Sequence, residues 1–311
     1  MQRFAISSNK ILGVFSLVID PFWRTWMKML ISVNDVRSLC DEWRQQSNTI
    51  SFVPTMGALH EGHLSLMREA KSRADKVIAS IFVNPSQFGP NEDFSKYPRT
   101  LKDDEAKLAD SGVDALYVPN AGDMYPDGFQ TWVSNEGSSD ILCGASRSGH
   151  FRGVLTVVLK LFNHVSPDFA VFGSKDYQQL ALIRKMVEDL CLNIEILSGD
   201  IVRESDGLAM SSRNRNLIPE HRDLAPKLYQ GLLEVEKAYK DSGLEKAKLI
   251  RIFNDFIKSS PEIEMEYCEV RSAKDLQDVE DDFQNSVVML IAAKLGDVRL
   301  IDNHVLAGLD T

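Results

Sequence analysis

Cysteine is scarce in this 311-residue chain, and the four present, Cys40, Cys143, Cys191 and Cys268, form no CxxC pair and no finger spacing. That scatter excludes a disulfide framework and a structural zinc module, and it suits idle thiols in a reducing compartment. Basic charge is also short: 35 Lys and Arg against 45 Asp and Glu give a formal net charge of −10 and a pI near 5.2. Non-specific nucleic-acid binding needs a basic face and is excluded as the main activity, whereas a local basic cleft for a small anion is not. The apolar run at residues 11–19 falls well short of the roughly 20 residues of a membrane-spanning helix. Internal repeats and low-complexity stretches are lacking too.

What is present is an ordinary globular composition, 44% hydrophobic and 26% charged, with length for one large domain or two ordinary ones. The first 20 residues hold no acid before Asp20 and carry Arg3 and Lys10, which loosely resembles a targeting segment without a clear small-residue cleavage site. Met27 and Met29 just before the first regular pattern fit an upstream start equally well. Residues 1–28 are expected to lie outside the fold, and the protein is expected to be cytoplasmic.

The chain then alternates short apolar runs with helical patterns. Helical spacing covers about 31–46, 64–74, 100–111, 150–164 and 178–189, and strand-like runs fall at 50–53, 77–83, 115–118, 169–172 and 194–197. Such alternation predicts an α/β fold, a Rossmann-like doubly wound parallel sheet, over residues 29–200. Residues 119–150, rich in Gly, Ser, Asp and Pro, read as a long functional loop with a small hairpin near Trp132-Val133. Beyond residue 200 the texture changes to a charged helical stretch (219–258) and three strand-like runs, the last two joined at Leu295-Gly296-Asp297. Residues 201–311 are therefore expected to form a smaller α+β lid domain with an antiparallel sheet.

The stretch ISFVPTMGALHEGH (50–63) reads as strand, Pro/Gly turn and helix start, with His60 and His63 where unpaired N–H groups and the helix dipole favour a phosphate. Both imidazoles could stabilise charge building on phosphorus; two satisfied surface histidines are the plainer alternative. A zinc pair is weaker, since no third ligand stands at recognisable spacing, and no metal site is expected. Gly173-Ser174-Lys175-Asp176 forms another strand-to-helix turn that can aim a cation at phosphate, and Met210-Ser211-Ser212-Arg213 offers hydroxyls and a guanidinium to an anion. Each also makes sense as a plain turn or linker. Gln87 and Gln179 can both donate and accept, as a substrate bearing hydroxyls and a carboxylate requires.

In order along the chain, PTMGALHEGH, FVNPSQF, YPRT, HFRGVLTVVLKLF, FGSKDYQQ and DGLAMSSRN resemble the pantoate–β-alanine ligase (pantothenate synthetase) family over roughly residues 30–220, and more loosely beyond. The resemblance implies an HxGH nucleotidylyl-transferase fold and an ATP-dependent ligase, with pantoyl-adenylate as intermediate and AMP and pyrophosphate released. It implies ATP contacts at Met56, Gly57, Ala58, Leu59, His60, Glu61, Gly62 and His63, with His63 as proton donor and His60 also on phosphate. Gly173, Ser174, Lys175, Asp176, Val202, Met210, Ser211, Ser212 and Arg213 would complete the nucleotide site. Gln87 and Gln179 would bind pantoate, and Gln87 also β-alanine.

ATP would enter as a substrate with Mg²⁺, with no tightly bound cofactor. The implied partners are these small molecules and a second copy in a homodimer, without nucleic acid or membrane. Ser174 departs from the charged residue usual before the Lys-Asp pair. Asp103 and Asp104 match acidic positions that reach the metal, a solvated acidic pair being the alternative. A related HxGH nucleotidylyltransferase would share the histidine turn but has no reason to keep FVNPSQF and KDYQQ. A non-catalytic nucleotide binder would have lost phosphate-facing residues first.

Overall fold

The computed structural model describes residues 27–306, apart from positions 91, 243, 244, 282 and 284. The expectation about residues 1–28 thus lies almost wholly outside the described residues. Its last position is corrected: Lys28 opens strand β1 (Lys28–Leu30) and pairs with Ala115. Three residues are too few to show a period, so the strand leaves no pattern in the sequence.

The chain continues through α1 (Val33–Gln45), β2 (Ile50–Thr55), α2 (Glu61–Arg73), β3 (Lys76–Ile81), α3 (Leu101–Asp110) and β4 (Ala115–Tyr117). Then come α4 (Ala121–Met124), α5 (Cys143–Ser146), α6 (His150–Val165), β5 (Phe169–Gly173), α7 (Tyr177–Asp189) and β6 (Glu195–Gly199). Ser32 caps α1 by accepting the Asp35 N–H at 3.1 Å, and Val36, Leu39, Cys40 and Trp43 form its buried stripe. The six strands form one parallel sheet in the order β1-β4-β3-β2-β5-β6.

β2 pairs with β3 along its whole length, but with β5 only at Ser51↔Phe169 and Phe52↔Ala170. Beyond that point the two strands part, and Pro54 has no N–H to donate across the gap. The order also reverses here, β3 lying on one side of β2 and β5 on the other. An open α/β sheet keeps its ligand in such a crevice, outside the strands' carboxyl ends.

The chain goes on through α8 (Pro219–Leu224), α9 (Lys227–Ser242), α10 (Lys246–Ile257), β7 (Ile263–Ser272), β8 (Val287–Leu295) and β9 (Val298–Leu306). The last three pair antiparallel in sequence order, and Leu295↔Val298 closes on the two-residue turn Gly296-Asp297. The hairpin expected there forms. β8 is buried on both faces: Val287, Met289 and Ile291 join the core with Leu232 and Phe253 of α9 and α10, while Val288 and Leu290 pack with Leu142 of the parallel-sheet half. The small sheet therefore stands between its own helices and the larger half.

The hairpin expected near Trp132-Val133 does not form. The Val133 N–H donates instead to Thr156 Oγ1 on α6 at 3.0 Å, and the short helices α4 and α5 flank the segment in the chain. A side-chain acceptor on α6 replaces the partner strand.

Gly153 on α6 carries the turn 85–87 directly: a Cβ there would stand 2.5 Å from the Ser86 carbonyl oxygen and 2.7 Å from the Gln87 nitrogen. Gly153→Ala is expected to destabilise the protein by about 1–3 kcal/mol, the usual range for overpacking. Denaturant unfolding measures it, and an unshifted midpoint would mean that the turn simply moves away.

Candidate active site

The histidine turn is built by a buried acid. Gly57 and Ala58 both take the left-handed conformation (φ 83° and 51°), which leaves consecutive amides pointing inward. Asp104 of α3, fully buried, accepts the Ala58 N–H at 2.9 Å, the Leu59 N–H at 2.8 Å and the Thr100 hydroxyl at 3.1 Å. Lys107, one helical turn on, donates to the Leu59 carbonyl at 2.7 Å. Asp104 thus holds the loop with both oxygens, whereas Asp103 is exposed. Of the two readings left open for this acidic pair, the solvated one fits Asp103, whereas the Asp104 carboxylate is buried and committed to loop amides.

His60 is the N-cap of α2 in extended conformation, and its N–H donates to Nδ1 of His63 at 3.3 Å. His63 thereby fills the role that Glu has at the third helical position of a capping box. With Nδ1 accepting, the neutral ring carries its proton on Nε2. The two rings lie 4.1 Å apart. Burial lowers the His63 pKa to about 3, helped by His60, Lys175 and Lys107 and opposed by Asp176. It lowers that of His60 to about 4, helped by Lys175, Arg215 and Lys107 and again opposed by Asp176. The charges of the 173–176 turn therefore act on both rings. Glu61 turns outward to pair with Arg68.

A second turn, after β3, presents Gln87. Buried Asn84 caps it, accepting the Ser86 N–H at 3.3 Å and the Tyr125 hydroxyl at 2.8 Å. Its own amide donates to Gln87 Oε1 at 3.0 Å and to the Gly153 carbonyl at 3.2 Å. That fixes the Gln87 amide with Nε2 outward, where its partner is Met56 Sδ at 3.4 Å. A thioether is a weak acceptor, so this donor is available to a stronger one. The Gln87 carbonyl receives His150 Nδ1 at 2.8 Å; Arg147 Nη1 lies 3.0 Å from His150 Nε2, and Glu92 closes the chain by binding Arg147 at two positions, 2.8 and 2.5 Å.

Across the crevice, Gly173–Asp176 follow the end of β5. The Val202 carbonyl accepts the Met210 N–H at 2.9 Å, closing an arch over residues 202–210, and Met210 Cβ stands 3.8 Å from where a Gly62 Cβ would be. This brings the arch to the start of α2. Ser211 Oγ caps the next turn by accepting the Arg213 N–H at 3.3 Å, and Ser212 Oγ meets the Tyr97 hydroxyl at 3.3 Å. Arg213 holds Asp93 with two bonds of 2.9 and 3.0 Å.

A cleft of about 1340 Å³ between the halves is lined by Lys175, Asp176, Gln179, Ser211 and Arg213, among others. Gln87 lines a smaller cavity of about 160 Å³, which shares Gly89, Glu92, Ser148 and His150 with the cleft. The two glutamines thus open onto adjoining spaces, not one. Met56 to His63 line neither, but adjoin both: Met56 meets Gln87, and Gly62 lies beside Met210. Gln178, beside Gln179, also borders the cleft, but its amide is committed: it accepts the Cys143 N–H at 3.0 Å and donates to the Ser138 and Ile141 carbonyls at 2.9 and 2.8 Å. Sequence reasoning missed Asn84, Arg147 and His150; an Asn before Pro in a turn-rich loop was the one signal for Asn84.

The family model for pantoate-beta-alanine ligase matches residues 28–305. The pantothenate synthetase of Carboxydothermus hydrogenoformans is 48% identical over 281 residues, which span 90% of this chain and 99% of that one. Among solved structures, the pantothenate synthetase of Thermus thermophilus superposes with a TM-score of 0.84 at 41% identity, covering 89% of this chain and 99% of the other. The pantoate-beta-alanine ligase of Francisella tularensis, solved in complex with Beta-gamma ATP and beta-alanine, gives 0.74 at 37% identity, covering 90% and 97%.

Two outcomes follow from the local chemistry. Asp104→Ala strands the Ala58 and Leu59 amides, each costing about 1–3 kcal/mol; hydrogen exchange at those two amides should accelerate, and unchanged protection would refute the anchoring. His60, His63, His150 and His164 all titrate below the ordinary 6.5, at about 4, 3, 4 and 4, because burial disfavours the charged ring. Their folded values are depressed, so as pH falls the unfolded chain takes up protons first. The stability they confer is whole above about pH 6.5 and is lost between there and about pH 3. The thermal midpoint is expected to drop from about pH 7.5 to about pH 5, with protons taken up on unfolding; a flat midpoint would exclude neutral buried rings.

Proposed function

The chain belongs to the pantoate-beta-alanine ligase family and joins pantoate to β-alanine, using ATP; from that premise we propose that the amide is made in two steps in the crevice between β2 and β5. The observation that carries this reading is the histidine pair at the start of α2, where the His60 N–H donates to His63 Nδ1 at 3.3 Å and leaves His63 Nε2 as a donor.

In the first step a pantoate carboxylate oxygen attacks the α-phosphorus of ATP. The α–β phosphoanhydride bond breaks, and pyrophosphate leaves with its electron pair. In the second the β-alanine amine attacks the acyl carbon of pantoyl-adenylate. The bond to the AMP oxygen breaks, and the amine gives up a proton. A carboxylate is a poor acylating agent, and adenylation supplies the leaving group.

His63 offers Nε2–H to the phosphate oxygens, a donor already oriented by the His60 amide. A bound polyanion also raises the ring's pKa and lets it serve as proton donor. His60 and Lys175 face the same phosphates, and Ser211, Ser212 and Arg213 receive the far end of the chain. Gln87 meets pantoate and then β-alanine with the Nε2 end that Asn84 leaves free, and Gln179 holds pantoate from α7.

Mg²⁺ prefers phosphate oxygens and water with one or two carboxylates. No group of three His, Cys, Asp or Glu among the described residues makes a metal cage, and exposed Asp176 stands at the nucleotide turn. This donor set fits an ion carried in on the nucleotide, which would neutralise developing charge. Residues 201–311 act as a lid that excludes water from the acyl-adenylate, a reading supported by their separate core and their share of the cleft wall. A homodimer in the cytoplasm completes the reading and rests on the family alone.

The deciding experiment supplies ATP, Mg²⁺, pantoate and β-alanine to purified protein and measures AMP, pyrophosphate and ADP separately. AMP and pyrophosphate formed only with pantoate are expected; ADP, or turnover indifferent to pantoate, would sink the proposal. His63→Ala should lower turnover by about 10² to 10³ with the fold intact, and a loss under threefold would remove His63 from the chemistry. Gln179→Ala should weaken pantoate more than ATP; equal weakening would leave it a supporting role only.

A further inference from the structure

Strand β9 belongs to the small sheet, yet one of its faces is turned to the nucleotide turn. Arg299, Ile301 and Asn303 alternate along that face, as side chains of a strand must. Arg299 Nη2 donates to Cys143 Sγ at 3.5 Å, Ile301 packs on the parallel-sheet core, and Asn303, 4% exposed, reaches the turn after β5. Its Nδ2 donates to the carbonyls of both Ser174 and Lys175, at 3.0 and 2.9 Å.

The neighbouring residue faces the other way. Asp302, also 4% exposed, accepts two bonds from Arg203 at 2.6 and 3.0 Å. The Arg203 guanidinium stacks 3.5 Å from the Tyr229 ring centre, and Nη1 also donates to the Gly207 carbonyl at 3.1 Å. Arg203 follows Val202 and bridges to Ala209, so Asp302 secures the arch that bears Met210. Two successive residues of one strand therefore grip the two backbone segments assigned to the nucleotide.

We propose that Asn303 is a positioning residue for ATP: by holding the Ser174 and Lys175 carbonyls it sets the direction of Lys175, and Asp302 does the same for the arch through Arg203. The inference rests on the reading of these segments as the ATP site. The side-chain types suit the task. Two carbonyls need two N–H donors from one point, which a primary amide supplies, and a guanidinium needs a planar pair of acceptors, which a carboxylate supplies. A carboxylate at 303 would set oxygen against two carbonyl oxygens, and an alanine would leave both oxygens without these donors. Because Asn303 comes from the small sheet, seating that sheet and orienting Lys175 become one event.

The test separates this role from plain support of the fold. Asn303→Asp and Asn303→Ala should raise KM for ATP at least tenfold, while KM for pantoate at saturating ATP stays within twofold. Leu306→Ala, a core truncation on the same strand, should lower the melting midpoint and leave KM for ATP unchanged. In a Lys175→Ala background, Asn303→Ala should add less than a further twofold, since it acts through a side chain already removed. Multiplying effects, an ATP KM within twofold of the parent, or ATP and pantoate constants rising together as the midpoint falls would each overturn the proposal. Should Asn303→Asp fail to fold, Asn303→Ser carries the same comparison. Calorimetric titration with Mg-ATP alone reads the effect without turnover. Failure of the ligase reading, seen as no pantoate-dependent AMP from the parent protein, is thereby distinguished from failure of the Asn303 role.

Discussion

A parallel sheet gains by pairing every strand along its length, and here the two central strands stop after two residue pairs, Ser51↔Phe169 and Phe52↔Ala170. The unpaired ends of β2 and β5 then have to find other partners or solvent. On the β2 side the chain turns at once through Gly57 and Ala58 and delivers its amides to Asp104. On the β5 side it turns through Ser174 and Lys175 and delivers its carbonyls to Asn303. The crevice is held open by these two polar anchors, one a carboxylate that meets donors and one an amide that meets acceptors. Hydrophobic burial shapes the walls, but it cannot keep backbone groups apart in this way.

A buried carboxylate is costly unless every oxygen is met, and Asp104 meets that requirement with two amides and a hydroxyl. Its charge has a second consequence, since it restrains the loop that leads into the histidine helix start. The histidines can then be neutral and still well placed: one caps the other, and the leftover hydrogen on Nε2 is a donor rather than a cation. Neutral donors at a helix N-terminus still suit an anion, through the helix dipole and the unpaired amides. The chain's overall acidity is then no obstacle to binding an anion.

The parallel sheet, the second sheet and the hairpin at Gly296-Asp297 could all be read from periodicity and turn residues, since each rests on local pattern. Strand β1 could not, at three residues, and Val133 was misread because its partner, Thr156 Oγ1, lies 23 residues on and is a side chain. The turns proposed to face phosphate were visible as strand–Gly–helix junctions. What holds them was not: Asp104 looks like any acid in a helix's first turn, and Asn303 like any polar residue on a strand edge. Both are identified only by what the fold brings opposite them, and sequence spacing carries no trace of that. The orientation of Gln87 is a similar case, being set by Asn84 and by a helix that approaches closely only because residue 153 is Gly.

The contacts between the two halves fall into two kinds with different energetic consequences. Near the sheets, Asn303 is buried and Tyr267 half-buried, and breaking their contacts would strand polar groups away from water. At the cleft, the Arg213–Asp93 pair is about a third exposed on each side, so water screens it more than the buried contacts. A phosphate is a better partner for that guanidinium than a solvated aspartate, since it offers more charge in the same bidentate geometry. On the proposed function, a phosphate takes the place of Asp93 on Arg213 while the buried contacts stay fixed. The more exposed pair thus lies at the cleft and the buried contacts lie behind Lys175, the order that the proposed phosphate site at Lys175 requires.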